Sequence, residues 1–469
     1  MKCERPRVAE RAMPARCSFE FLVWVFALAA LAVVVLAGGA SAQIRAARKG
    51  DLPAIDAKVQ AAVIDSVTAA LNEAYVFGDR AARMDSLLRA NLASGAYRSL
   101  TDPADFMERL QADVAIIYLD GHMGMAALPP GAVPAAKPEE EDPFKTEAFR
   151  QQIRRANYGF RKAEMLAGNI GYVKFDQFVD TELAGPTAAA AMAFVANADA
   201  LIIDLRDNGG GNASMIQFLA GYLFEETTHL IDWYSRQEDK TTQSWSNDWV
   251  PGQKMYDAPV YVLVSGRTAS AAEEFSYDLQ NEKRATIVGE KTAGGAHTVE
   301  FRTFDMGAFI AALKLPSGRA ISPVTKTNWE VVGVQPDIAV SADKALVAAR
   351  LDALKKLEEK ATDDGVKAAL AWARAGLESE LTPYTPPAKA LKECVGTFGP
   401  RSFFIEGSKL MYQREERPKV ALAPMSKDLF ALEGVEYFRV RFTRNASGAI
   451  DAVVGMYDNG REERNPKSK

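Results

Sequence analysis

The sequence predicts an α/β protein, with a helical domain before the α/β core and a small antiparallel β domain after it. Three observations carry this. Between 169 and 289, short near-continuous apolar runs alternate with helical patterns, as in a parallel sheet covered by helices. Between 52 and 71, apolar residues recur at three- and four-residue steps. From Leu391 onward, short strand-like runs follow one another, separated by Gly and Asn turns.

Taken in order, the chain opens on arginines at 5, 7, 11 and 16, the apolar run Phe21–Ala37 and the small-residue site Ala40-Ser41-Ala42. That pattern predicts a signal peptide over 1–42, cleaved after Ala42, and export to a periplasm or the exterior. An uncleaved membrane anchor is the second choice. Residues 43–125 read as a helical domain. Leu52, Ile55, Val59, Val63, Val67 and Leu71 form one apolar face, a second helix fits Asp79–Leu92 before Gly95, and a third runs from Asp102-Pro103 to about Ile117. The Pro- and acid-rich stretch 126–145 reads as a linker. The core is expected over 146–345. It starts with a helix over Phe144–Lys162, and then Asn169–Phe175, Thr187–Ala198 and Ala200–Asp204 make a βαβ unit. Val260–Val264 and Thr286–Gly289 are further strands, and Val299–Phe304 with Phe309–Leu315 a hairpin. A charged helical segment, 346–380, precedes the β domain, 381–469.

Formal charge is −5 and the body of the chain has no basic block, which argues against nucleic-acid binding. Of three cysteines, Cys3 and Cys17 leave with the leader. Cys394 remains alone, so neither a disulfide nor a Cys/His zinc pattern is available. No metal, nucleotide or haem is implied.

Chemistry is concentrated at Val260–Phe275. A strand that ends in a tight turn and hands over to a helix can present Ser270 as a nucleophile, with helix N–H groups aimed at what it attacks. Ser270-Ala271-Ala272-Glu273 equally fits a capping box, in which the serine only caps the helix. A nucleophile needs a base, and the candidates are His122, His229 and His297. Gly209-Gly210-Gly211 follows an apolar strand. It could cradle a phosphate, supply oxyanion donors, or simply be a turn before Asn212 as a helix cap; the spacings of nucleotide-binding loops are absent.

DLRDNGGG (204–211), SGRTASAAEEF (265–275), VGEKTAGGA (288–296) and NWEVVGVQPDIAV (328–340) stand in this order. Together they resemble the C-terminal processing peptidase family, which includes tricorn core proteases and the repeats of interphotoreceptor retinoid-binding protein. The resemblance covers roughly 146–340. It implies a ββα core of the ClpP/crotonase type, Ser270 as nucleophile, and an oxyanion hole from the N–H of Ala271 and a glycine amide of Gly209-Gly210. The family's serine–lysine dyad is missing, because Gly295 stands where the lysine is expected and Lys291 lies earlier in the motif. No PDZ-like segment is visible. The chain therefore resembles the tricorn and retinoid-binding branch, in which a histidine of the helical region is the base. His122 in Asp120-Gly121-His122 matches it, and Glu330 matches the supporting acid. Gly121 replaces the serine that precedes the histidine in tricorn. Asp207 and Glu273 read as structural, and Arg206 as a brace for the glycine loop more than an anchor for a peptide carboxylate. The expectation is an exported serine peptidase acting on peptides or proteins, capable of homo-oligomerisation, with a β domain that could bind a partner. The alternative is a catalytically silent binding module of the same fold.

Overall fold

The computed structural model describes residues 46–132 and 146–468; the leader, most of the expected linker and the C-terminal residue lie outside it. The chain forms two compact units.

The first unit joins the helical region to Asp232–Thr242 and Ala296–Ile321. Its helices are Ala57–Ala74, Gly78–Ser94 and Pro103–Ile117. Asp56 caps the first by accepting from Lys58 and Val59, so Leu52 and Ile55 precede the helix although they share its apolar period. Asp102 caps the third, with Pro103 at its first position, where no N–H is needed. Gly95 ends the second at φ 78, the left-handed conformation glycine adopts without steric cost. The strand Gly124–Leu128 pairs antiparallel with Ile310–Ile321, which pairs in turn with His297–Asp305 and with 232–235. The expected linker therefore begins as a strand, and the expected hairpin is longer than its apolar run. Val63, Val67, Leu71, Phe106 and Leu110 pack against Phe309, just before the long strand, and Ala311, Leu313 and Leu315, its alternate inward residues.

The second unit holds a six-stranded sheet in the order Ile338–Ala339, Ala285–Gly289, Val260–Val264, Ala200–Asp204, Ile170–Phe175, Phe160–Leu166. The first five run parallel. Ala200–Asp204 and Val260–Val264 are buried at every residue, which is why they read as near-continuous apolar runs. Phe160–Leu166 corrects the helix expected through Lys162, since the helix stops at Arg155. Gly168 (φ 86) and Asn169 (φ 54) turn the chain back, so these residues pair antiparallel with Ile170–Phe175. Pairing across that turn overrides the helix propensity of Arg161-Lys162-Ala163-Glu164. The crossover helix spans Thr181–Val195, starting at its Asp180 cap, earlier than its alanine-rich part suggests.

Helices Ala345–Lys360 and Asp364–Leu381 follow, and then eight antiparallel strands paired in sequence order from Gly396–Phe398 to Glu462–Pro466. A bridge between Phe398 and Lys467 joins the first strand to the end of the last, so the sheet is nearly a barrel. Phe398, Phe403, Phe430, Phe438 and Phe442 fill it. Cys394 is buried there, and burial pushes its thiol up to about 12. Arg439 lies 3.8 Å over the Trp372 ring and donates to Trp372 O, while Trp372 Nε1 donates to Glu436 O at 2.9 Å. The fold class is as the sequence predicts: a helical N-terminal region, an α/β core and a C-terminal antiparallel β domain.

Candidate active site

The nucleophile candidate sits where the buried strand Val260–Val264 hands over to the helix Ala271–Asn281. Two local contacts brace the turn. Thr268 Oγ1 donates to Leu205 O at 2.8 Å, and Ser265 N–H donates to Thr268 Oγ1 at 2.9 Å. Ser270 is exposed, with φ 54 and ψ −123. A positive φ in a non-glycine residue costs about 1–3 kcal/mol and marks a position held by its surroundings. The first-turn amide of Ala271 has no acceptor among the described residues, as expected at a helix start.

The glycine loop lies against this serine. A methyl group on Gly210 would come within 2.7 Å of Ser270 Cβ, 2.8 Å of Ala269 O and 3.0 Å of Ala271 N, and Gly210 has φ 100. Close approach and backbone conformation both require glycine there. The Gly210 amide donates to the buried Asn208 Oδ1 at 2.9 Å, and the Gly209 amide to Asp176 O at 3.3 Å. Asn212 caps the next helix through Ser214 N–H, as its turn reading implies.

Glu273 is fully buried and gathers four donors. These are Ser270 N–H (2.9 Å), Thr292 Oγ1–H (2.5 Å), Gly294 N–H (2.6 Å) and Gly295 N–H (2.9 Å). Burial pushes its carboxyl up, the four hydrogen bonds pull the other way, and the net shift is upward. The loop held by Glu273 in turn holds the Glu330 segment. Trp329 Nε1 donates to Gly295 O at 3.0 Å, and Val331 N–H to Gly294 O at 2.9 Å. Val331 has φ 65, and Val332 N–H reaches back to Glu330 O at 2.7 Å, a tight turn directly after the buried Glu330. Gly295 thus carries two backbone contacts where a lysine was expected, while Lys291 is exposed.

Arg206 is tied to the last residue of the strand that precedes the glycine loop. It donates to the buried Asp204 through Nε (2.9 Å) and Nη2 (2.6 Å), and to Ala342 O at 2.7 Å. Asp207 is paired with Lys174 and Arg267, whose hydrogen bonds lower its carboxyl to about 2.

In the first unit, His122 is half-buried just before the strand Gly124–Leu128. The buried Asp120 accepts its backbone N–H at 2.9 Å, and its other oxygen accepts Tyr75 O–H and His297 Nδ1–H, both at 3.0 Å. Burial alone would raise the Asp120 carboxyl. The His297 hydrogen bond and charge, the His122 amide and the Tyr75 hydroxyl outweigh it and hold the carboxyl below its ordinary value. Burial and the Asp120 charge push the Tyr75 phenol far up. The His122 and His297 ring centroids are 6.3 Å apart. His229 stacks on Trp245 at 4.6 Å, in the other unit. Ser270, Ala271, Gly209, Gly210 and Glu330 therefore belong to one unit, and His122 to the other beside His297. Sequence reasoning missed Asp120 as the carboxylate between the two histidines. The Asp-Gly-His turn was the available signal.

Residues 169–340 match the model of peptidase family S41, and residues 51–157 match that of the N-terminal domain of peptidase family S41 in eukaryotic IRBP. These two regions resemble peptidase family S41 and its N-terminal domain. The chain is 29% identical over 180 residues to a carboxyl-terminal-processing protease of Synechocystis sp., covering 37% of this chain and 38% of that protein. A carboxyl-terminal-processing protease of Picosynechococcus sp. is 29% identical over 180 residues, covering 36% of this chain and 39% of that one. The chain thus spans less than two fifths of the length of these relatives. A solved structure of a candidate peptidase from Parabacteroides merdae aligns with TM-score 0.46 and 18% identity, over 66% of this chain and 100% of that one. Among the described residues, no helix is long and apolar enough to cross a membrane.

One further group lies on the helix of Ser270. Asp278 is buried, and neither carboxyl oxygen has a hydrogen-bond partner among the described residues. Burial, then the charges of Glu274 and Glu282, raise its carboxyl well above the ordinary value. A carboxyl raised on folding contributes stability below its unfolded value and loses it as pH rises through the folded one. Asp278→Asn is therefore expected to melt like the parent near pH 3.5 and at progressively higher temperature than the parent as pH rises to 8. Equal melting temperatures throughout would show that Asp278 ionises without cost.

Proposed function

We propose that this chain is an exported serine peptidase. Ser270 Oγ attacks a peptide carbonyl while His122 takes its proton. The new C–O bond forms a tetrahedral oxyanion, and the C–N bond breaks as His122 returns the proton to the leaving amine. Water then releases the acyl group by the same steps. The Ala271 amide supplies one oxyanion donor. A glycine amide of the Gly209-Gly210 loop supplies the second once the carbonyl oxygen displaces its present acceptor. Glu330 stabilises the imidazolium. The observation that carries this reading is an exposed serine held at φ 54, beside an amide without an acceptor among the described residues and against Gly210, where only glycine fits.

The substrate class is peptide or protein, in keeping with relatives named carboxyl-terminal-processing proteases. Export predicts a mature chain beginning at Gln43, which N-terminal sequencing of the secreted protein checks.

A binding module without catalysis is the second reading. What favours it is that the amides of Gly209 and Gly210 already have protein acceptors. Fluorophosphonate labelling of the mature chain separates the two. Labelling of the parent that is absent in Ser270→Ala and His122→Ala supports the peptidase. A folded parent that does not label supports the binding module.

A further inference from the structure

We propose that Asp120 and His297 form a buried positioning pair for the base. The Asp120 carboxylate fixes the His122 turn through its backbone, and His297 Nδ1–H and Tyr75 O–H fix the carboxylate. The inference rests on the reading of His122 as base.

The chemistry of the donors sets the arrangement. An ionised carboxylate only accepts, so each group at hydrogen-bond distance from Asp120 must donate. One oxygen takes the His122 amide at 2.9 Å, and the other takes Tyr75 O–H and His297 Nδ1–H, each at 3.0 Å. His297 therefore carries a proton on Nδ1. The side chains of Asp120 and His297 are 0% and 1% exposed. Such a pair is a poor way to stabilise a core, where apolar side chains of similar volume do as well or better. Its position accounts for it, because only Gly121 separates Asp120 from His122 and the carboxylate binds the backbone of the base itself. The surroundings hold the imidazole ring. Phe77 packs edge-on to His297 at 5.6 Å, and the Arg80 guanidinium covers the Phe77 and Tyr118 rings. Arg319, the register partner of His297 in the hairpin, lies 5.1 Å from the centre of the Phe77 ring. Tyr75 caps the first helix, His297 opens the hairpin and Asp120 follows the third helix, so one carboxylate ties the base turn to three elements.

Asparagine at 297 distinguishes positioning from proton transfer, because its Nδ2–H falls near the place of imidazole Nδ1–H and it has no basic nitrogen. In the full mature chain, kcat per active site titrated with fluorophosphonate should fall about 100-fold in Asp120→Asn and His297→Ala, the scale expected for a misplaced base. KM should change little, and His297→Asn should stay within about threefold of the parent. A merely structural role would lower the melting temperature and the number of titratable sites, and leave kcat per site unchanged. That result overturns the proposal. Equal losses in His297→Asn and His297→Ala also overturn it, because His297 would then take part chemically. Activity surviving in His122→Ala overturns the base assignment along with it, whereas loss in His122→Ala with an unchanged Asp120→Asn overturns the positioning pair alone. Independently of turnover, 15N NMR of the imidazoles should show His297 as Nδ1–H; an Nε2–H tautomer would refute the arrangement.

Discussion

Ser270→Ala is expected to lower peptide turnover by about 10⁴–10⁶-fold, the scale seen when an acyl-transfer nucleophile is removed. The fold should survive, because the Ser270 backbone makes the contacts that matter locally: its N–H donates to Glu273 and its carbonyl accepts from Glu273 and Glu274. A companion variant separates chemistry from strain. Ser270 holds φ 54 and ψ −123, a conformation open to glycine and costly for other residues. Ser270→Gly should be as inactive as Ser270→Ala and more stable than the parent by about 1 kcal/mol. Turnover of a denatured protein substrate and urea unfolding measure the two effects. Retained turnover in either variant would end the assignment of Ser270. A Ser270→Gly chain no more stable than the parent would show that the serine sits there without strain, and the case for a built nucleophile would weaken.

The largest stability effect is expected at Glu273. Removing this side chain leaves Thr292 Oγ1–H and the Gly294 amide without their acceptor in a buried place, and the amides of Ser270 and Gly295 without theirs in a half-buried one. Each unpaired buried donor costs about 1–3 kcal/mol, partly recovered by relaxation, so Glu273→Ala should destabilise by about 3–5 kcal/mol. Glu273→Gln keeps the volume but turns an NH₂ toward donors, and should lie between the two. The consequence for function follows from connectivity. The same loop holds Trp329 and Val331 on either side of Glu330, so activity should fall more than the folded fraction does. Urea midpoints of Glu273→Ala within about 1 kcal/mol of the parent would remove Glu273 as the clamp between nucleophile and loop.

Several parts of this arrangement are legible in the residues themselves because they depend on neighbours in sequence. Ala200–Asp204 and Val260–Val264 have the strand limits that their apolar runs suggest. Asp102, Asn212 and Gly95 stand at helix ends for reasons of local hydrogen bonding and backbone conformation. The Ser270 position, at the start of a helix after a buried strand, follows from the same local logic.

Other features depended on partners far along the chain. Phe160–Leu166 has a helix-like composition and becomes a strand only through its pairing with Ile170–Phe175. The hairpin from His297 to Ile321 looks, from sequence, like part of the core that encloses it. Its inward residues instead complete the core of the helical unit. Asp120 and His297 are 177 positions apart, and nothing in either local sequence announces the other. Glu273 reads as half of a capping box, and only the folded loop adds Thr292, Gly294 and Gly295 to its carboxylate. Period, caps and turns are short-range and leave their mark in the order of residues. A buried carboxylate's donors are brought to it by packing, because burial makes an unpaired charge too costly to leave, and only the tertiary structure decides which groups those are.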